Sequence, residues 1–255
     1  MKEQKKPTWL GLIQLDETDS TSNQIKHLPL QKEMTVVTAE YQRAGRGQQG
    51  NSWESEKGTN LAFSILISPQ TVTASHQFIL SQAISLAILE TLKGYHPDFR
   101  IKWPNDIYWH DLKLGGILIE NELMGKHIDR CVIGIGLNIN QHEFRSNAPN
   151  PVSLSQITGK EEDREEILSK LLGRFHDLLG KIAQGHTEGI VQEYHANLYR
   201  NDGFYPYRDA QGKFMATIDH VEPLGPICLK DTEGKLRYYA FKEVKVVLKD
   251  FELPN

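Results

Sequence analysis

Residues 161 to 183 carry the strongest periodicity in the chain. Ile167, Leu171, Phe175, Leu178, Leu179 and Ile182 recur on one helical face, with charged residues opposite. An amphipathic helix with one buried stripe is the expected result. Residues 75 to 93 repeat the pattern through Phe78, Ile79, Ala83, Ile84, Ala87, Ile88 and Leu92, and another helix is expected over about 187 to 198. Strand-like runs lie at 12 to 15, 34 to 39, 60 to 67, 101 to 103, 107 to 109, 116 to 120 and 129 to 138, with a turn at Met124-Gly125-Lys126. Beyond Asn201-Asp202-Gly203 the texture changes to short strand-like runs. They are cut by Ala210-Gln211-Gly212, Pro223-Leu224-Gly225 and Thr232-Glu233-Gly234. Strands do not alternate strictly with helices, so the expected class is α+β. One unit spans residues 1–200 and a small all-β domain spans 201–255.

Composition excludes several classes. Hydrophobic residues make up 39% and charged residues 24%, enough for an ordinary core. A formal net charge of -4 argues against a general nucleic-acid binder while leaving room for a local basic site. The two cysteines, Cys131 and Cys228, are far apart and form no CxxC pair. Spacing therefore supports neither a disulfide framework nor a zinc site, and no metal ligands are expected. The apolar stretch after Pro7 is short, ends at Asp16 and has no small-residue cleavage site. No run approaches the roughly 20 apolar residues that span a bilayer. A soluble, cytoplasmic chain without a membrane partner is expected.

Gly45-Arg46-Gly47-Gln48-Gln49-Gly50 satisfies GxGxxG. The dinucleotide-binding version must lead into a helix, whereas here Asn51-Ser52-Trp53 and then a strand follow. Three glycines let backbone amides approach a ligand, Arg46 offers a forked cation for phosphate or carboxylate, and Trp53 offers a flat face. Residue types alone leave this reading level with a flexible hairpin connection.

In Lys102-Trp103-Pro104-Asn105-Asp106 the proline interrupts a strand, and Asn105 and Asp106 suit a turn. The alternative puts those two residues on a pocket rim, near phosphates or Mg²⁺. In Lys113-Leu114-Gly115-Gly116-Ile117-Leu118 the lysine either points into a pocket or is solvated in a hairpin. Gly134-Ile135-Gly136-Leu137-Asn138-Ile139-Asn140 is a further glycine-spaced strand end.

Taken in order, these segments resemble the catalytic domain of biotin protein ligases. The matching residues are Asp19-Ser20-Thr21, Gln42, Ala44 to Gly47, Trp53, the Lys102–Asp106 and Lys113–Leu118 segments, and Gly134–Asn140. The resemblance covers about residues 13 to 200, and the tail looks like the family's small SH3-like β-barrel. It implies a mixed sheet flanked by helices and a two-step reaction with ATP and biotin as substrates. Biotin is activated to biotinyl-5′-AMP, then passed to a lysine of a biotin carboxyl carrier protein of a carboxylase. Mg²⁺ would arrive mainly on the ATP phosphates.

The resemblance also implies roles. Arg46 and Lys113 would be catalytic, and fixed cations are what the meeting of two anions requires. Ser20, Thr21, Ser22, Gln42, Gly45, Arg46, Gly47, Lys113 and Gly116 would bind biotin. Arg46, Gln48, Trp53, Asn105, Asp106, Lys113, Asn138 and Asn140 would bind the nucleotide. Loop 45 to 53 is expected to order over the adenylate. The chain departs from the family's commonest pattern at Gln48 and Asn51, where arginines often stand, and at Ser22, where asparagine is frequent. Glu243 fits a family-like motif without an assigned role.

Three alternatives bear on this reading. A lipoate-type acyl ligase would share the fold, and a non-catalytic biotin-binding module would not need Arg46 and Lys113 together. Repression is the third. Only about eighteen residues precede Asp19, too few for an N-terminal DNA-binding domain, so ligation without DNA binding is expected. A homodimer through a sheet edge remains compatible with the sequence.

Overall fold

The structure, a computed structural model, describes residues 7–48, 52–145 and 150–248. Its centre is a seven-stranded sheet of order β1-β2-β3-β7-β6-β5-β4. The strands are β1 (Leu10–Thr18), β2 (Met34–Gln42), β3 (Leu61–Ile67), β4 (Phe99–Lys102), β5 (Asp106–Trp109), β6 (Leu112–Met124) and β7 (His127–Leu137). β1 and β2 run parallel and every other neighbouring pair is antiparallel. The sheet is therefore mixed, as the α+β expectation required.

β3 has all seven residues buried. A continuous apolar run suits a strand covered on both faces. Its one polar residue, Ser64, faces the short helix α1 (Thr21–Lys26), whose Thr21 and Ser22 reach it.

The other helices are α2 (Phe78–Leu92), α3 (Leu154–Thr158), α4 (Arg164–Ala183) and α5 (Glu188–Ala196). α4 keeps the expected stripe, with Ile167, Leu171, Phe175, Leu178 and Ile182 buried. It starts where Asp163 accepts from the amides of Glu165 (2.9 Å) and Glu166 (3.1 Å), and those acids also complement the helix dipole. α2 differs from its reading as a helix with one apolar stripe. It is buried on nearly every side because it packs against β4, α4 and α5 at once. α3, absent from the sequence reading, is a single capping-box turn in which Ser153 and Gln156 cap one another.

The tail forms a second, fully antiparallel sheet of order β11-β10-β9-β8-β12. Its strands are β8 (Tyr205–Asp209), β9 (Gly212–Val221), β10 (Ile227–Asp231), β11 (Leu236–Tyr239) and β12 (Lys245–Val246). All three expected turns fall between these strands. The two sheets are joined at specific points. Trp103 Nε1 donates to the Gly225 carbonyl at 2.8 Å, the Phe78 amide donates to the Pro223 carbonyl at 3.2 Å, and Arg200 donates to the Val247 carbonyl at 2.9 Å. No helix among the described residues is long and apolar enough to cross a membrane.

Candidate active site

A cavity of about 600 Å³ opens over the β6–β7 region and under the second sheet. That volume lies within the range of roughly 300–1,000 Å³ typical of small-molecule sites. Its floor is shaped by glycine. A Cβ on Gly136 would run into the Trp53 indole, and one on Gly134 would stand 2.5 Å from Ser22 Oγ. The bare strand therefore lets Trp53 and Ser22 settle on the sheet.

At one end, α1 begins as β1 leaves the sheet. Gln42 Oε1 accepts from the Thr21 amide at 2.8 Å and from the Thr21 hydroxyl at 3.0 Å. Ser64 Oγ lies 2.9 Å from the Thr21 hydroxyl and 3.0 Å from the Ser22 hydroxyl. Ser20 caps α1 by position without a side-chain cap bond, and it lines the cavity beside Thr21, Ser22 and Gln42. This is a buried polar corner of a cavity that Ile117, Leu118 and Ile135 also line. Ser64 was not foreseen. Its only signal was being the single polar residue in an apolar strand.

At the other end Asp106 stands between two lysines. Its Oδ1 is 2.7 Å from Lys113 Nζ and its Oδ2 is 3.8 Å from Lys102 Nζ. Lys102 also sits over the Tyr108 ring at 4.8 Å. Burial pushes the Lys102 ammonium below its ordinary value, partly offset by Asp106. Gly116 leaves room for this group: a Cβ there would be 3.5 Å from both Asp106 Oδ1 and Lys113 Nζ. Asn105 donates to the Ile117 carbonyl at 2.6 Å and accepts from its amide through its own backbone oxygen at 2.9 Å, holding the turn against β6.

Arg46 lies on the cavity wall, held back by an ion pair. Its Nη2 is 3.1 Å from Glu120 Oε1, and its Nη1 donates to Asn23 Oδ1 at 3.1 Å. Lys26 shares Glu120 at 2.8 Å. Burial raises the Glu120 carboxyl, but hydrogen bonds from Lys26 and Arg46 outweigh it and hold the group below the usual range. Gly47, Gln48 and Trp53 complete that wall. Trp53 Nε1 and Gln48 Oε1 are buried without a hydrogen-bond partner, an arrangement that is costly unless something else pairs with them. Gly45 supports the wall from behind, accepting from the Trp53 amide at 2.9 Å. Gln49, Gly50 and Asn51 lie outside the described residues.

Two proposed nucleotide ligands sit elsewhere. Asn138 is buried and donates to the Val152 carbonyl at 3.2 Å. Asn140 is tied to the Glu162 backbone by two bonds of 3.0 Å. Neither lines the cavity, nor does Gly45.

The second sheet adds Tyr207, Ile218, Ile227 and Lys245 to the cavity, together with Phe241 and Lys242 from its last turn. Glu243 closes that turn by accepting from the Ala240 amide at 2.7 Å. Among the described residues the lining holds five cationic side chains (Arg46, Lys102, Lys113, Lys242, Lys245) and one carboxylate, Asp106. A chain of net charge -4 thus concentrates positive charge where an anion would sit.

The chain is similar to several known proteins. The model of the biotin/lipoate A/B protein ligase family matches residues 12–138. The biotin--[acetyl-CoA-carboxylase] ligase of Paracoccus denitrificans is 34% identical over 170 residues, covering 63% of this chain and 70% of that protein. The bifunctional ligase/repressor BirA of Bacillus spizizenii is 32% identical over 219 residues, 82% of this chain. The chain spans 65% of that relative's length and 52% of the Salmonella typhimurium BirA. The biotin protein ligase from Aquifex aeolicus in complex with biotin and ATP superposes with a TM-score of 0.77 at 28% identity. The match covers 93% of this chain and 98% of that one.

Proposed function

The chain belongs to the biotin/lipoate A/B protein ligase family, and from that premise we propose that it activates biotin with ATP and transfers it to a carrier-protein lysine. One observation carries the reading. A single cavity unites the Ser20–Thr21–Ser22–Gln42 corner with Lys113 and Arg46. The polar corner suits a urea-like head group that both donates and accepts. The apolar wall suits the rest of biotin, and the cations suit its carboxylate and a nucleotide phosphate.

In the first step a biotin carboxylate oxygen attacks the α-phosphorus of ATP, and the bond to pyrophosphate breaks. Two anions meet, so fixed positive charge lowers the barrier most. Lys113, oriented by Asp106 at 2.7 Å, would bridge the carboxylate and the α-phosphate. Arg46 would leave Glu120 for the phosphate. A partly exposed ion pair contributes only about 0–1 kcal/mol, and a bidentate bond to phosphate is stronger. Trp53 would pack on the adenine, and its orphaned Nε1 and Gln48 Oε1 are groups the nucleotide could satisfy. Mg²⁺ would be carried on the ATP phosphates. In the second step a lysine amine of a biotin carboxyl carrier domain attacks the acyl carbon. AMP departs, and the amine proton is lost to solvent. Cys131 and Cys228 are free thiols, which suits a cytoplasmic setting.

Mass spectrometry of a biotin carrier domain after incubation with the chain, biotin, ATP and Mg²⁺ tests the proposal. Mass added at the carrier lysine, dependent on both substrates, is expected. Exchange of labelled pyrophosphate into ATP that depends on lipoate and not on biotin would reassign the substrate.

A further inference from the structure

Asp219, His220 and Cys228 meet on the second sheet, away from the cavity. Cys228 pairs directly with His220 across β9 and β10, and the register then shifts so that Leu229 faces Ile218. Asp219 is the extra residue of that bulge. A bulge breaks the two-residue alternation of a strand and re-aims a side chain. Here it lets Asp219 and His220, sequence neighbours, gather on the same thiol. One ligand-type atom from each of the three residues lies within 4.8 Å of the other two. Asp219 Oδ2 is 2.7 Å from His220 Nδ1, and Glu222 Oε1 is 3.0 Å from His220 Nε2.

We propose that this cluster is a site for a divalent transition-metal ion of the zinc class. Cys228 Sγ, His220 Nδ1 and an Asp219 oxygen supply three ligands, and water supplies the fourth. Glu222 is the outer partner, accepting from Nε2–H and fixing the ring with Nδ1 toward the ion. Thiolate, imidazole and carboxylate together select a borderline-soft ion over Mg²⁺ or Ca²⁺, which take oxygen ligands. Bond lengths of about 2.0–2.3 Å in a tetrahedral site put ligand atoms roughly 3.3–3.8 Å apart. All three ligand atoms lie within 4.8 Å of one another, the Asp219–His220 pair already at 2.7 Å, and small side-chain rotations at exposed Asp219 and half-buried His220 bring them to that spacing. On binding, the Cys228 thiol proton and the proton that His220 Nδ1 holds against Asp219 both pass to solvent.

The cluster is graded from exposed Asp219 through half-buried His220 to buried Cys228, so the ion enters from solvent and ends against the sheet. Tyr238 on β11, edge-on to His220 at 6.1 Å, walls the far side. Ile218 and Ile227, the chain neighbours of Asp219 and Cys228, line the candidate active-site cavity. The ion would therefore brace the hairpin behind the cavity wall, and the site stands independently of the ligase reading. Eight residues separate Asp219 from Cys228, which hides the set from spacing rules and leaves it to a strand register to assemble.

The test is a Co²⁺ titration of the full, metal-stripped and reduced chain. A one-to-one complex with a thiolate-to-cobalt charge-transfer band is expected. The band should vanish in Cys228→Ser and persist in Cys131→Ser. Should Cys228→Ser fail to fold, Asp219→Asn and Glu222→Gln at surface positions are each expected to weaken Co²⁺ binding about ten- to a hundredfold. Absence of the charge-transfer band, its survival in Cys228→Ser, or unchanged affinity in both surface variants overturns the assignment.

Discussion

Replacing Lys113 with alanine separates what the cavity does for folding from what it does for chemistry. Lys113 Nζ lies 2.7 Å from Asp106 Oδ1, with the lysine side chain 30% exposed. For folding, loss of such a partly exposed pair costs about 0–1 kcal/mol. Lys102, 3.8 Å from the other Asp106 oxygen, still faces the carboxylate and limits the penalty. For chemistry, a fixed positive group aimed at developing negative charge contributes about 2.7–4 kcal/mol, roughly 10²–10³ in rate. Biotin-dependent exchange of labelled pyrophosphate into ATP, with thermal unfolding of the same sample, reads both quantities. Exchange should fall by about two to three decades while the midpoint moves only a few degrees. Asp106→Asn should lose less, and the double variant should be no worse than Lys113→Ala, because Asp106 acts through the lysine. Exchange within threefold of the parent in Lys113→Ala would remove the lysine from adenylation and refute the charge argument.

Other substitutions probe the wall and the joint. Gly136→Ala drives a methyl into the Trp53 indole, so a stability loss of about 1–3 kcal/mol from overpacking is expected, together with weaker ATP binding; calorimetry checks both. Glu120→Gln frees Arg46 and Lys26 and should tighten ATP binding two- to fivefold, the worth of a pair of about 0.5–1 kcal/mol; weaker binding would mean that Glu120 aims Arg46 instead of restraining it. Because the Glu120 carboxyl is depressed in the fold, its stabilisation is present above the ordinary value of 4.5 and is lost as pH falls through the lower folded value. Acid unfolding of Glu120→Gln should lack that component. Trp103→Phe deletes the bond to the Gly225 carbonyl and should cost about 1 kcal/mol, with protease access at loop 222–226 rising first.

Much of the fold was legible because period follows secondary structure. The apolar run at 60 to 67 reads as a buried strand, and the stripe from Ile167 to Ile182 reads as an amphipathic helix. Turn residues marked every hairpin of the tail. α2 was legible as a helix but not in its burial, since only the packed sheet and two further helices show that no face is left to water. The ordered motifs also named most of the cavity wall, because glycines, lysines and the Lys102–Asp106 turn carry their chemistry in their residue types. Pairing was another matter. That Asp106 is shared by two lysines, that Ser64 closes the polar corner, and that Glu120 restrains Arg46 depend on strand register, which one residue of slip would undo. Asn138 and Asn140 carry the right side chains, yet backbone groups of the following segment claim them. The sequence by itself determined the elements, the class and the chemical inventory of this protein. Only the tertiary structure decided which of those groups face one another, since distances between residues far apart in the chain are set by the packing of the whole sheet.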